Sequence, residues 1–196
     1  MNQMDIAIET LRAGRPIVVP TDTVYGIGVL PAVPGSIDEI YRIKGRPAHK
    51  PIPVLGPSRS TLEEVVVFSD AASALADRFW PGPLTIVLPR QFTFAADLGG
   101  TGKQEDVAVR IPEHDVCLEL LRRAGPLAVT SANPSGREPA RSVDEARSYF
   151  GDAVDVFIEG GRCDGAPSTV VRLVDGLEIL REGAVTRAAL ERALPG

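Results

Sequence analysis

A twisted mixed parallel and antiparallel sheet with flanking helices, an α/β fold, is expected of these 196 residues. Short β-rich runs alternate with helical apolar patterns along the chain, the signature of strands covered by helices. The Asp175-Gly176 pair lies between two consecutive β-rich runs and signals a hairpin, so one strand pair at least must be antiparallel. No repeat or low-complexity tract interrupts the alternation, and a chain of this length can bury one core. Residues 1–196 therefore read as a single domain.

Met4, Ile8 and Leu11 fall on one helical face ahead of Gly14, which predicts a helix from Met4 to Ala13 with a glycine stop. Pro16 to Val19 reads as a strand, and a hydroxyl-rich turn leads from it to a second, glycine-punctuated strand ending near Gly28. Ser36 with Glu39 forms a capping box opening a helix through Ile40 and Ile43, and Ser142 with Glu145 repeats the device before Ala146 and Tyr149. Further strands are expected at Pro51 to Leu55, Leu84 to Leu88, Val107 to Ile111, Leu127 to Thr130, Val154 to Ile158, Thr169 to Leu173 and Leu177 to Leu180. Helices intervene at Ala71 to Phe79, His114 to Ala124 and Thr186 to Leu194.

The composition narrows the function. A net charge of −5 argues against non-specific nucleic-acid binding, so any basic patch must be local. The longest apolar runs fall far short of the roughly 20 residues a membrane helix needs, and no signal peptide opens the chain, so a cytoplasmic protein is expected. Cys117 and Cys163 form no Cys-x-x-Cys pair and read as buried thiols.

Three stretches have the residue types of a site. In Val19-Pro20-Thr21-Asp22-Thr23-Val24-Tyr25-Gly26-Ile27-Gly28, two threonines and a tyrosine offer neutral donors and acceptors, and glycine lets backbone approach closely. Lys44, Arg46 and Lys50 put three cations into seven residues at a helix end, either a solvated basic loop or an anion cradle whose mixture of fork and point charge suits a polyphosphate. Ser131-Ala132-Asn133-Pro134-Ser135-Gly136 follows a strand, and turn chemistry or room for a ligand explains it equally. Arg110 is a permanent charge in an apolar strand, so it needs solvent, a carboxylate or a ligand, and Arg181 poses the same question.

Other signals fail. Gly99-Gly100-Thr101-Gly102-Lys103 resembles a phosphate-binding loop, but Gln104 stands where Ser or Thr is required and Asp97 takes the first glycine position, so it reads as a mobile loop. His49 and His114 lack ligand-spaced partners for zinc, and no Gly-x-Ser-x-Gly elbow or dinucleotide fingerprint occurs. Trp80-Pro81-Gly82-Pro83 looks like a rigid turn with an aromatic anchor.

Taken in order, Pro20-Thr21-Asp22-Thr23-Val24-Tyr25-Gly26, Lys44-Gly45-Arg46-Pro47, Trp80-Pro81-Gly82-Pro83-Leu84-Thr85, Arg110-Ile111-Pro112 and Ser131-Ala132-Asn133 resemble the YrdC/Sua5 family of threonylcarbamoyl-AMP synthases. Pro167-Ser168-Thr169-Val170 and Leu180-Arg181-Glu182-Gly183 extend the likeness over nearly the whole chain, in the short single-domain form. The resemblance implies a basic cavity and the synthesis of threonylcarbamoyl-adenylate and pyrophosphate from ATP, L-threonine and bicarbonate. That is the first step of N6-threonylcarbamoyladenosine formation in tRNA.

By the same resemblance, Lys44, Arg46, Ser131 and Asn133 would hold nucleotide phosphates, Lys44 and Arg46 being the catalytic pair, with Lys50, Arg181 and Ser142 as further ATP contacts. Thr23, Arg110 and Ser168 would line the threonine pocket, Arg110 meeting the carboxylate. It implies Mg²⁺ carried by ATP rather than by a protein cage, a downstream threonylcarbamoyl-transferase complex as partner, and weak tRNA binding as an open question. A paralogue with another carbamoyl or adenylyl transfer, or an RNA-binding module, stands as the alternative. The sequence departs from the family pattern at Ile52-Pro53 after Lys50-Pro51 and at Val29-Leu30-Pro31 after Gly28.

Overall fold

The computed structural model describes residues 2–100 and 105–195. Thr101, Gly102 and Lys103, on which most of the phosphate-loop comparison falls, lie outside them.

Helix α1 (Gln3–Arg12) opens on a capping box in which the Asn2 side chain accepts from the Asp5 amide and Asp5 accepts from Asn2, a device worth about 1 kcal/mol. It leads into β1 (Ile17–Val19), which is buried throughout, and then β2 (Gly26–Val29). Helix α2 (Ser36–Lys44) starts differently from the sequence expectation. Gly35, in the left-handed region at φ 78°, is the N-cap, and no side chain caps the helix. The Ser36 hydroxyl instead donates to the Leu30 carbonyl at 2.8 Å, and Glu39 pairs with Arg42.

Strand β3 (Val54–Leu55) is shorter than expected because Pro51 and Pro53 have no N–H to give a ladder. A short helix that the periodicity does not reveal, α3 (Arg59–Leu62), precedes α4 (Asp70–Phe79), β4 (Leu84–Pro89), β5 (Asp106–Arg110), α5 (Asp115–Ala124) and β6 (Leu127–Ser131). Helix α6 (Val143–Phe150), the two-residue β7 (Val156–Phe157), β8 (Thr169–Leu173), β9 (Leu177–Arg181) and α7 (Arg187–Ala193) complete the described chain.

Among the described residues the nine strands form one sheet in the order β7-β1-β2-β6-β3-β5-β4-β8-β9. The expected mixture is present: β1 with β7, β3 with β5 and β4 with β8 run parallel, and the remaining neighbours are antiparallel. The β8–β9 hairpin turns through Val174-Asp175-Gly176, and Gly176 takes φ 134°, a conformation that favours glycine.

Two apolar layers cover the sheet. On one face α1 and α5 pack Ile8, Leu11, Leu120 and Leu121 against Ile17, Val19 and Leu127. On the other, a larger cluster joins Val18, Ile27, Val54, Ile86 and Val109 to residues of α2, α4 and α6. Alternation along β1 therefore feeds both layers, which is why that strand reads as continuously apolar. Between β2 and β6 the sheet is pressed close: a Cβ on Gly26 would lie 2.5 Å from Val129 Cγ1, so only glycine fits there without a shift.

Candidate active site

Strands β2, β6, β3, β5, β4 and β8 are neighbours in the sheet, so the ends of loops far apart in sequence meet over one face. A cavity of about 330 Å³ opens there. Its lining includes Thr21, Thr23, Arg46, Thr85, Arg110, Thr130, Ser131, Ser168 and Arg181, with Leu55, Ala108, Val129 and Val170 as apolar wall. The register explains the grouping: Thr85 lies opposite Val170, Leu55 opposite Arg110, and Gly26 opposite Ser131.

The electrostatics are one-sided. Among the described residues three guanidiniums, Arg46, Arg110 and Arg181, line the cavity, and no carboxylate does. Burial, with Arg110 beside it, holds Arg181 below the usual arginine range. A site built this way is short of negative charge and is completed by anions. A larger hollow of about 550 Å³ between residues 31–38 and 93–97 differs in kind: its charged lining residues are Asp38 and Asp97. It offers nothing to a phosphate.

Arg110 is nearly buried, and the structure gives it a carboxylate after all. Its Nη2 donates to Asp22 Oδ1 at 2.6 Å, Nη1 to Thr23 Oγ1 at 3.2 Å and Nε to the Gly82 carbonyl at 2.9 Å. Three of five guanidinium protons are thereby used, leaving two on the Nη atoms for a ligand. The neighbouring hydroxyls are ordered too. Thr21 Oγ1 donates to the Val24 carbonyl at 2.6 Å and accepts from the Thr23 and Val24 amides, so in its 3.0 Å contact with Thr23 the Thr23 hydroxyl is the donor, and Thr23 Oγ1 meets the cavity as an acceptor.

Arg181 donates through Nε and Nη2 to the Ser168 carbonyl and through Nη2 to Ser168 Oγ. Ser168 Oγ is also 3.0 Å from Thr85 Oγ1. Arg46 reaches Thr130 Oγ1 at 3.2 Å while donating to the carbonyls of Lys50 and Pro51, both at 2.9 Å. It braces the rim as well as lining it.

Lys44 is 4% exposed, and its ammonium donates to the carbonyls of Ser131 and Asn133. Burial, with Arg46 beside it, pushes its pKa down to about 7. The lysine is thereby tied to the backbone of Ser131, a residue of the cavity lining. Asn133 Nδ2 donates to the carbonyls of Pro134 and Arg137, bracing the turn, and its Oδ1 is buried without a partner among the described residues.

Of the residues singled out from sequence, the structure thus gathers Thr23, Arg46, Arg110, Ser131, Ser168 and Arg181 around one cavity, with Lys44 and Asn133 directly behind it. Lys50 and Ser142 are not in its lining. Lys50 is exposed, and its carbonyl accepts from Arg46. Ser142 is the N-cap of α6, accepting from the Glu145 amide, while Glu145 accepts from Arg141 in place of the expected Ser142. Tyr25 is fully buried and donates to the Gly161 carbonyl at 2.7 Å, so its hydroxyl ties down a loop. The Trp80-Pro81 turn packs edge-on against Phe68, and Trp80 Nε1 donates to the Leu84 carbonyl.

Sequence reasoning missed Asp22, Thr85 and Thr130 as members of the site. Asp22 stood inside a motif already in view, and the permanent charge of Arg110 was the signal that a carboxylate must be near. Nothing in the sequence points to Thr85 or Thr130, whose roles come from strand register.

Comparison with known proteins agrees with this geometry. The Sua5_yciO_yrdC family model, described as "Telomere recombination", matches residues 9–183. A Mycobacterium leprae relative is 39% identical over 191 residues, covering 96% of this chain and 86% of its own length. The threonylcarbamoyl-AMP synthase of Marinobacter nauticus is 34% identical over 177 residues, covering 89% of this chain and 93% of its own. Among solved structures, Pyrococcus abyssi Sua5 complexed with L-threonine superposes with a TM-score of 0.91 at 33% identity. It covers 98% of this chain, which in turn spans 58% of that longer protein.

Proposed function

The chain belongs to the Sua5/YciO/YrdC family, and on that footing we propose that it is an L-threonylcarbamoyladenylate synthase, a nucleotidyltransferase acting on ATP, L-threonine and bicarbonate. The observation that carries this reading is the cavity whose described lining has three guanidiniums, several hydroxyl residues and no carboxylate. A triphosphate and an amino-acid carboxylate supply the negative charge that such a lining lacks.

In this mechanism the two free Nη protons of Arg110 take the threonine carboxylate, with the Thr23 hydroxyl and Ser168 beside it. The threonine amine combines with bicarbonate to give a carbamate and water. A carbamate oxygen then attacks the α-phosphorus of ATP, and the bond to the β-phosphate oxygen breaks to release pyrophosphate. No protein nucleophile is required. Arg46 and Arg181, with Ser131 held by Lys44, position the phosphates and stabilise charge on the departing pyrophosphate. Lys50 and Ser142 lie outside the described cavity lining, Lys50 with an exposed side chain and Ser142 with a hydroxyl proton still free to donate, and we propose them only as outer contacts to ATP.

Magnesium enters this scheme with the nucleotide, bound by phosphate oxygens and water. The cationic lining fits that arrangement, and no group of three or more His, Cys, Asp or Glu side chains among the described residues could hold the ion instead. The adenylate product passes to a downstream threonylcarbamoyl-transferase complex acting on tRNA.

The deciding experiment is pyrophosphate release from purified protein supplied with ATP, bicarbonate and one amino acid at a time. Release that depends on threonine supports the synthase. Release driven by a different acceptor assigns the cavity to another carbamoyl or adenylyl transfer, and salt-sensitive tRNA binding without any turnover assigns it to an RNA-binding module. Calorimetric titration of threonine against serine, with ATP present, measures the selectivity of the pocket, where one methyl is worth about 1 to 3 kcal/mol.

A further inference from the structure

We propose that Asp22 is the positioning residue that aims Arg110 at the amino-acid carboxylate, an inference that rests on the threonine reading of the cavity. Asp22 is not part of the cavity lining, so it acts through Arg110 and not on the substrate. Its Oδ1 accepts from Arg110 Nη2 at 2.6 Å and from the Glu113 amide at 3.1 Å, and the two side chains are 13% and 7% exposed.

Three acceptors from two separate turns fix the plane of the guanidinium: Asp22 and Thr23 from the β1–β2 turn, and Gly82 from the turn before β4. Of these, Asp22 alone is charged, and its bond is the shortest of the three. Without an acceptor at that place the guanidinium keeps only Thr23 and Gly82, and Nη2 loses the contact that sets its direction. The two protons meant for the ligand would then no longer point to one place, and a misaimed fork loses the benefit of bidentate recognition.

Asp22 is itself held rigidly. A Cβ on Gly165 would lie 2.1 Å from the Asp22 carbonyl oxygen, so the 165 backbone rests directly on this turn. Thr21 Oγ1 clasps the other side through the Thr23 and Val24 amides. The carboxylate is therefore presented by a fixed turn, as a positioning group requires.

Two conservative variants separate aim from charge. Asp22→Asn keeps an oxygen where Asp22 Oδ1 stands, because both groups facing it, Arg110 Nη2 and the Glu113 amide, are donors and select that amide orientation. Asp22→Glu keeps the charge but displaces the carboxylate by one methylene.

The measurement is steady-state pyrophosphate release with threonine varied at saturating ATP and bicarbonate, then with ATP varied, alongside thermal unfolding of each variant. Positioning predicts that Asp22→Glu raises the threonine KM by about tenfold or more, the scale of one misplaced charge-assisted hydrogen bond. It leaves the ATP KM within about threefold, and Asp22→Asn recovers most of the threonine KM. The reverse order, with Asp22→Glu near wild type and Asp22→Asn impaired, overturns the proposal in favour of simple charge balance. Equal loss in both variants, with threonine and ATP KM rising together, overturns it in favour of a role in folding alone. A wild-type protein that releases no threonine-dependent pyrophosphate overturns the reading of the cavity itself.

Discussion

Arg181 grips Ser168 by two different oxygens, its Nη2 standing 2.9 Å from the serine carbonyl and 3.0 Å from the serine hydroxyl. The residue proposed for the nucleotide thereby orders a residue proposed for the amino acid, and the two halves of the site are mechanically joined.

Replacing Arg181 by lysine keeps the charge and loses the fork that spans both oxygens. We expect kcat/KM for threonine to fall by about one to two orders of magnitude, the cost of one or two charge-assisted hydrogen bonds. Steady-state pyrophosphate release checks this, and a variant within twofold of wild type would show that the contact is dispensable.

Lys44 gives the site a pH dependence. Its pKa is about 7 in the fold against 10.5 for an ordinary lysine, so between those values the unfolded chain binds the proton and the folded one does not. The free protein therefore pays its full penalty for burying this group below about pH 7, and stability rises with pH from there to about 10.5. Phosphates brought near Lys44 restore the ammonium, so ATP binding at about pH 8 takes up a proton. Calorimetry in buffers of different ionisation enthalpy should find that uptake in the wild type and not in Lys44→Met; equal uptake in both places the proton on another group.

Arg46 lines the cavity and is one of the groups proposed to position the phosphates. Arg46→Ala is expected to lose about 2 to 4 kcal/mol of transition-state stabilisation, the range for removing one preorganised electrostatic donor. Single-turnover rates at saturating substrates measure it, and near-native rates would remove Arg46 from the chemistry.

The floor of the cavity depends on a missing side chain. Gly26→Ala would set a methyl 2.5 Å from Val129 Cγ1, displacing a residue of the cavity wall. A loss of roughly 1 to 3 kcal/mol in urea unfolding is expected, the usual cost of overpacking. An unchanged midpoint would mean that the strands separate freely there.

Much of this architecture is written locally. Apolar periodicity locates α1, α4 and α5, and β-branched runs locate β4, β5 and β8, because each of these elements buries a continuous face. Where local signals compete, the sequence misleads. Ser36 has the spacing of a cap, yet the Leu30 carbonyl claims its hydroxyl, and Gly35 can adopt a left-handed start that serves in its place.

The site was legible in its charges. Arg110 and Arg181 are conspicuous because a guanidinium in an apolar strand must have a partner or a ligand, and Arg46 because it stands among three cations in seven residues. Thr85 and Thr130 were not, since a threonine in a strand is ordinary and only the pairing of β4 with β8, or the reach of Arg46, gives it a role. Ser142 is legible in another way: its spacing to Glu145 marks the cap of α6, where its hydroxyl accepts from the Glu145 amide.

The brevity of β3 bears on how the rim of the cavity is held. Because Pro51 and Pro53 leave the stretch before it without a full ladder, the carbonyls of Lys50 and Pro51 are lashed down by Arg46. An anion that draws this guanidinium inward competes with both carbonyls, and the stretch then rests on the Tyr41 hydroxyl at the Lys50 carbonyl and on the Ile52 amide at Leu98, so taking a guest loosens one of the ties of the rim.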